Sequence, residues 1–391
     1  MDSLQQGVLM LLRSGLTGEV LSLPQEFDMA QAYPLICRHQ ISALAYEGAL
    51  RCGISKTLPE MKRLFQHCCQ GLLHNERQLQ AIARVCAAFD AAGIDYMPLK
   101  GCHLKRLNPR AELRPMGDAD ILIRMEQYNE ICRVMETLAF EKQVESDHEL
   151  IWHSPELHLE LHKRLVPSYD KDYYRFFGDG WQMAELQQGT RYGMKREDEY
   201  IYLFVHFAKH YRGSGIGLRH AADLWVYRRA YPELDEGYIL ERLEQMRLAE
   251  FYRNICRVIA AWFEDGPQDD VTSFITDVIF ANGAWGNREN SMVSMALRNK
   301  QATGSMLLGK GKRIVDGFFP PYSVMWQKYP LLKKLPILLP IFWVVRWVSA
   351  LLFRRDSLRR QYEELRTADT DAVSDYQQAL NYVGLDFHFK E

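Results

Sequence analysis

The run Arg114-Pro-Met-Gly-Asp118-Ala-Asp120-Ile-Leu-Ile sets two carboxylates two residues apart, ahead of an apolar stretch. On a strand alternate side chains share a face, so Asp118 and Asp120 point one way and Ala119, Ile121 and Ile123 the other. Two like charges on one face of a buried strand repel, and a cation between them is the cheapest remedy. Oxygen ligands of this kind suit a hard divalent ion, Mg²⁺ or Mn²⁺, with phosphate oxygens completing its shell. A second stretch, Leu157-His158-Leu159-Glu160-Leu161-His162, alternates in the same way and puts His158, Glu160 and His162 on one face. Glu160 is thus a candidate third carboxylate from elsewhere in a sheet. Two carboxylates plus one is the donor set of two-metal phosphoryl or nucleotidyl transfer, where one metal lowers the pKa of the attacking hydroxyl and the other steadies the triphosphate. A lone D-x-D also occurs on solvated strand edges. Here a Lys-Gly turn upstream and the H-x-E-x-H strand downstream weigh for a site.

Lys100 and Arg114 are candidate triphosphate contacts, since cations beside a metal–phosphate centre offset developing charge; Arg114 could equally pair with Asp118. His206 and His210 lie one helical turn apart, but H-x-x-x-H lacks the Glu of the metalloprotease motif, so packing against the sheet domain is the better reading. Arg219 and Asp223 share a helix face as an expected ion pair.

These residues need elements to hold them. Residues 1–72 read as helices with short loops. Residues 75–89 repeat apolar side chains at helical spacing, and Gly93 is the expected stop. The texture then changes: short strands at 94–99 and 116–123, a brief helix at 103–107, an amphipathic helix at 126–138, and further strands at 140–144, 149–153 and 157–161. That order indicates an α+β core, a small mixed sheet with helices on one face. Helical patterns resume at 200–211 and 219–229, and residues 283–312 read as a linker.

The chain has 391 residues, enough for more than one core, with 48 basic and 50 acidic side chains. The formal net charge of −2 does not indicate a global electrostatic grip on nucleic acid. The 8 cysteines contain no C-x-x-C pair, which argues against a thiolate zinc site and a disulfide framework. The first residues show no basic segment leading into a long apolar run, so a reduced, cytoplasmic protein is expected. Charge is uneven: eleven basic and two acidic residues fall between Lys310 and Arg360. Residues 331–353 are the most apolar part, yet Arg346, Pro336 and Pro340 break the ~20-residue run that a spanning helix needs. This part is expected either to dock on the core or to lie on an anionic membrane surface, reached through 310–360.

Leu99-Lys100-Gly101, then Leu113-Arg114-Pro-Met-Gly-Asp118-Ala-Asp120-Ile-Leu, then Glu160-Leu-His162 resemble the uncharacterised bacterial nucleotidyltransferase family within the DNA polymerase β-like nucleotidyltransferase superfamily. Leu203-Phe-Val-His206-Phe-Ala-Lys-His210 and Leu218-Arg219-His-Ala-Ala-Asp223-Leu fit too. The resemblance spans roughly residues 75–230. It implies a minimal palm fold, a nucleoside triphosphate donor and Mg²⁺, with Gly101 as the phosphate-side turn glycine, Asp118 and Asp120 as metal ligands and Glu160 as the third acid. His162, His206, His210, Arg219 and Asp223 are then expected along the cleft wall. Two features depart from the superfamily: Gly101-Cys102 replaces the frequent Gly-Ser or Gly-Gly, and the third acid is Glu rather than Asp.

The expected organisation is an N-terminal helical region (1–72), a nucleotidyltransferase core (73–195), a helical domain (196–300) and a basic, apolar C-terminal region (301–391). The expected reaction moves NMP from an NTP to an acceptor with release of pyrophosphate. A sugar or sugar phosphate, a lipid-linked glycan, a peptide, a protein side chain and tRNA all remain open as acceptors. The alternatives are a catalytically silent nucleotide-binding module, a protein-modifying (NMPylating) transferase, and a zinc hydrolase built on His158, Glu160 and His162.

Overall fold

A computed structural model describes residues 1–286, 288–303, 319–320, 322, 325–326, 329, 331–353 and 370–388. Its contacts divide the chain into two compact units, residues 1–287 with 383–385, and residues 288–382 with 386–391.

The first unit opens with helices α1 (Ser3–Thr17), α2 (Met29–Arg38), α3 (Ser42–Arg51) and α4 (Pro59–Ala92). Pro59 starts α4 at a position that needs no N–H donor, and Gly93 ends it with φ 67°. This one helix runs across residues 72 and 73. Strand β1 (Tyr96–Pro98), the short helix α5 (Gly101–Leu104), β2 (Ala119–Ile123), α6 (Tyr128–Thr137), β3 (Glu141–Glu145), β4 (Glu149–His153) and β5 (His158–His162) follow. Then come α7 (Lys171–Phe177), β6 (Ala184–Gln188), β7 (Arg191–Met194), α8 (Arg196–Tyr211), α9 (Leu218–Ala230), α10 (Glu236–Gln245), α11 (Ala249–Phe263) and α12 (Asp270–Asn282).

The strands form one mixed sheet in the order β3-β4-β5-β2-β1-β7-β6. β2 runs parallel to β5, and β1 parallel to β7. The fold is α+β. Alternation decides which face each residue takes. Ala119, Ile121 and Ile123 of β2, with Leu159 and Leu161 of β5 and Leu150 and Trp152 of β4, pack against Ala81, Val85 and Phe89 of α4 and Ile131 and Met135 of α6. That face is closed by helices. The opposite face carries the carboxylates and meets α8 and α9 across a cleft.

Two strands were not expected. β6 and β7 are mostly exposed, so no apolar alternation marks them, and only the turn at Gly189-Thr190 hints at the hairpin. The 283–312 linker expectation also fails in part, because Arg288–Thr303 is helical. Of the glycines that suggested a loop, 283 and 286 precede that helix, and 304, 309 and 311 lie outside the described residues.

In the second unit, the helix Leu339–Phe353 follows Leu331–Lys334, with a short 3₁₀ turn between them. Ile337, Ile341, Val344 and Val348 are exposed there, whereas Phe319 packs edge-on against Trp343 and Trp347. No helix among the described residues is long and apolar enough to cross a membrane. Most of the basic residues between 310 and 360, Lys310 and Arg360 among them, lie outside the described residues.

Candidate active site

The parallel pairing of β2 with β5 aligns Asp120 with Glu160 and Leu122 with His162. Neighbouring strands run about 4.8 Å apart, so this register alone brings the expected third acid beside the pair. Asp118 precedes β2, at the bend after Gly117, and lines the same cleft of about 360 Å³. The compact group, however, is Asp120, Glu160 and His162, whose ligand atoms lie within 4.8 Å of one another. His162, expected on the wall, is central.

Asp120 is the most constrained of these side chains. Lys100 Nζ donates to its Oδ1 at 2.6 Å, and His162 Nε2 lies 2.7 Å from the same oxygen. Burial pushes the Asp120 carboxyl up, but Lys100 and His162 outweigh it and hold the carboxyl below its ordinary value. The Lys100 ammonium is disfavoured by burial and rescued by Asp120, so its pKa rises. For Asp118 the balance reverses. Burial first, then Asp120 and Glu160, push its carboxyl up, and it has no ion-pair or hydrogen-bond partner among the described residues. One acid is paired with cations in place, while burial and the neighbouring acids disfavour the charge of the other.

The turn before α5 places Lys100. Its φ of 42° is a left-handed conformation that a lysine rarely adopts, so the turn stores strain at this residue. Gly101 follows because nothing larger fits: a Cβ there would lie 2.8 Å from Met116 Sδ and 3.2 Å from Arg114 Nη1. Cys102 packs against the helix-covered core, and burial raises its thiol to about 12, so its side chain belongs to the packing.

Arg114 makes a two-pronged pair with Asp223, Nε to Oδ1 at 2.7 Å and Nη2 to Oδ2 at 2.8 Å. The expected Arg219–Asp223 pair is not formed. Arg219 donates instead to Gln40 Oε1 at 2.8 Å and to the carbonyl of Pro115 at 3.0 Å. The reason is reach: the fork geometry of Arg114 takes both oxygens of Asp223, and Arg219 turns to the loop it faces. Gln78 of α4 holds the Met116 carbonyl from the other side at 2.9 Å. The loop ahead of Asp118 is thereby pinned at three points.

The far wall comes from α8 and α9. Leu203, His206, Phe207, Lys209 and His210 line it from α8, and Arg219, His220 and Asp223 from α9. The His206 and His210 rings lie tilted against each other with centroids 4.4 Å apart, and burial lowers both imidazoles well below their ordinary value. Neither belongs to a metal-competent group among the described residues. His158 is half-exposed, and it is not among the described side chains whose ligand atoms gather with Glu160 and His162, so the His158–Glu160–His162 zinc triad does not form.

The sequence reading missed Lys209, His148, Glu149, His220 and Trp285. Lys209 is enclosed by protein yet open to the cleft, and burial lowers its ammonium to about 8. Its position between His206 and His210 was the available signal. His148 and Glu149 arrive through β4, whose first residue is paired with His162.

A family model described as uncharacterised nucleotidyltransferase matches residues 25–264. The chain belongs to that family. It is a nucleotidyltransferase, a transferase of phosphorus-containing groups, and the matched span contains β1 to β7 with every cleft residue named above except Trp285. No curated protein and no solved structure matches the chain. Members of such families use divalent metals, and the acid cluster on β2 and β5 has the donor chemistry for one.

Proposed function

We propose that this nucleotidyltransferase transfers NMP from an NTP to an acceptor and releases pyrophosphate, with Asp118, Asp120 and Glu160 holding Mg²⁺ or Mn²⁺. The observation that carries this reading is the alignment of Asp120 with Glu160 across a parallel strand pair, with Asp118 at the mouth of the same cleft. When bound, the metal supplies charge neutralisation and lowers the pKa of an attacking hydroxyl. The chain's own residues do the rest. Lys100, Arg114, Arg219 and Lys209 surround the acids and offer positive charge where the triphosphate gains negative charge. Gly101 lets the backbone approach the phosphates closely. Glu160, less tightly bound than Asp120, takes the acceptor's proton or a second metal. Trp285 is exposed at the rim beside Gly117 and offers an aromatic face to the base.

The exposed apolar side chains of 335–348 favour an acceptor at a lipid surface over a freely diffusing one. Flotation of the full chain with anionic vesicles tests this part, and recovery wholly in the unbound fraction would remove it. The reaction itself is tested by Mg²⁺- or Mn²⁺-dependent pyrophosphate release from each NTP. Asp118→Asn is expected to abolish release while leaving the fold intact. Labelling of a lysate with α-labelled NTP separates protein acceptors from small molecules. A chain that binds NTP and never releases pyrophosphate with any acceptor fraction would be the silent module instead.

A further inference from the structure

Two imidazoles at the inner end of the cleft, His162 and His148, face one another beside the acid cluster. His162 Nε2 lies 2.7 Å from Asp120 Oδ1, and a carboxylate only accepts, so this nitrogen carries a proton. The other nitrogen, Nδ1, faces His148 Nε2 at 3.2 Å. Two ring nitrogens at that distance need something positive between them. A shared proton or a metal ion can serve, and His148 Nδ1, buried with no hydrogen-bond partner, is left unmet in either case. Glu149 brings a carboxylate oxygen to 3.8 Å from the same His148 Nε2. Ligand atoms of His148, Glu149 and His162 all lie within 4.8 Å of one another, a second group beside the acid cluster. Donors at about 2.0–2.2 Å from one metal stand roughly 3–3.5 Å apart, so the imidazole pair is already spaced for a common ion and Glu149 needs only a small rotation.

We infer that His148, Glu149 and His162 form a separate cation site that takes a first-row transition ion, Zn²⁺ being the best fit, rather than Mg²⁺. The donor chemistry makes that choice: Mg²⁺ asks for oxygen ligands in a near-ideal octahedron, whereas neutral imidazole nitrogen suits Zn²⁺ and its neighbours. Asp120 stands behind His162 in the carboxylate–histidine–metal order that fixes a ligand's tautomer and orientation. The ion would tie the start of β4 to the end of β5 and present a Lewis-acidic point to the cleft that Pro167 and Tyr169 also line. This site uses neither Asp118 nor any bound nucleotide, and it meets the transfer site through the His162–Asp120 hydrogen bond.

The test uses the full chain, stripped with a chelator and reloaded with Zn²⁺ alone, read by X-ray absorption at the zinc edge and by equilibrium titration. One Zn²⁺ per chain is expected, with two imidazole nitrogens in its shell, undisplaced by a hundredfold excess of Mg²⁺. His148→Gln should weaken it at least tenfold, and Asp118→Asn, which stops transfer under the proposed function, should leave it unchanged. A shell of oxygens only, a shell with one imidazole, or equal loss in Asp118→Asn would place the ion on the acid cluster and overturn the inference. The absorption spectrum of the unmutated chain decides this even if His148→Gln fails to fold.

Discussion

Replacing Asp223 by Asn removes half of the clamp that sets the cleft. The two Arg114–Asp223 bonds are 2.7 and 2.8 Å long, and the side chains are 7% and 10% exposed. Burial disfavours the Arg114 guanidinium and Asp223 outweighs it, so removing Asp223 strands a buried charge. Each charge-assisted bond contributes about 1.5–3 kcal/mol, and breaking a buried pair from one side costs about 3–5 kcal/mol. Asn keeps one acceptor, so Asp223→Asn should cost about 3 kcal/mol and Arg114→Met somewhat more. Urea unfolding followed by tryptophan fluorescence measures both. The double variant Arg114→Met/Asp223→Leu removes both charges together and should recover most of the loss, because much of each single cost is the stranded partner. Single variants costing under about 1 kcal/mol, with no recovery in the double, would refute the clamp.

Lys209→Met should raise KM for the NTP about tenfold with kcat little changed, since it removes one phosphate-facing charge without a structural ion pair; steady-state kinetics read the split. Glu160→Gln keeps shape but loses the acid, so kcat should fall at least a hundredfold while far-ultraviolet dichroism stays unchanged. His39 gives a pH signature. It is buried, accepts from the Leu218 N–H at 3.2 Å and faces the Phe280 carbonyl at 3.3 Å. Burial, then Arg38, lowers its imidazole from 6.5 to about 4. The unfolded chain therefore takes up the proton first as pH falls, and stability is lost on acidification. Between pH 7 and 5 this one group should remove about 2 kcal/mol. Urea midpoints at both pH values, compared with His39→Gln, isolate the contribution, and an unchanged slope in that variant would refute it.

The faces of Asp120 and of His158-Leu-Glu160-Leu-His162 were legible because strand alternation is local, whereas Asp118, expected on the same strand, sits at the bend before β2 and lines the cleft from there. Their meeting was not, since the β2–β5 register is set by packing between segments far apart in the chain. The same limit hid His148 and Glu149. Residues 149–153 read correctly as a strand, but only its antiparallel pairing puts Glu149 opposite His162. Arg219 and Asp223 shared a helix face as expected, yet Arg114, 109 residues away from Asp223, won the carboxylate. The polar hairpin β6–β7 gave no periodic signal because neither of its strands is buried on a face. Cys102 looked like a lost phosphate contact, whereas the turn sends its side chain into the core.

The central claim is that carboxylates from β2 and the neighbouring β5 gather a divalent cation and a triphosphate in one cleft. A crystal structure of the chain with a non-hydrolysable NTP and Mg²⁺ tests it most directly. The account predicts Mg²⁺ on Asp118 and Asp120, with the phosphates reaching Lys100, Arg114 and Lys209. Nucleotide bound elsewhere, or a cleft that holds phosphate with no cation on either aspartate, would contradict it.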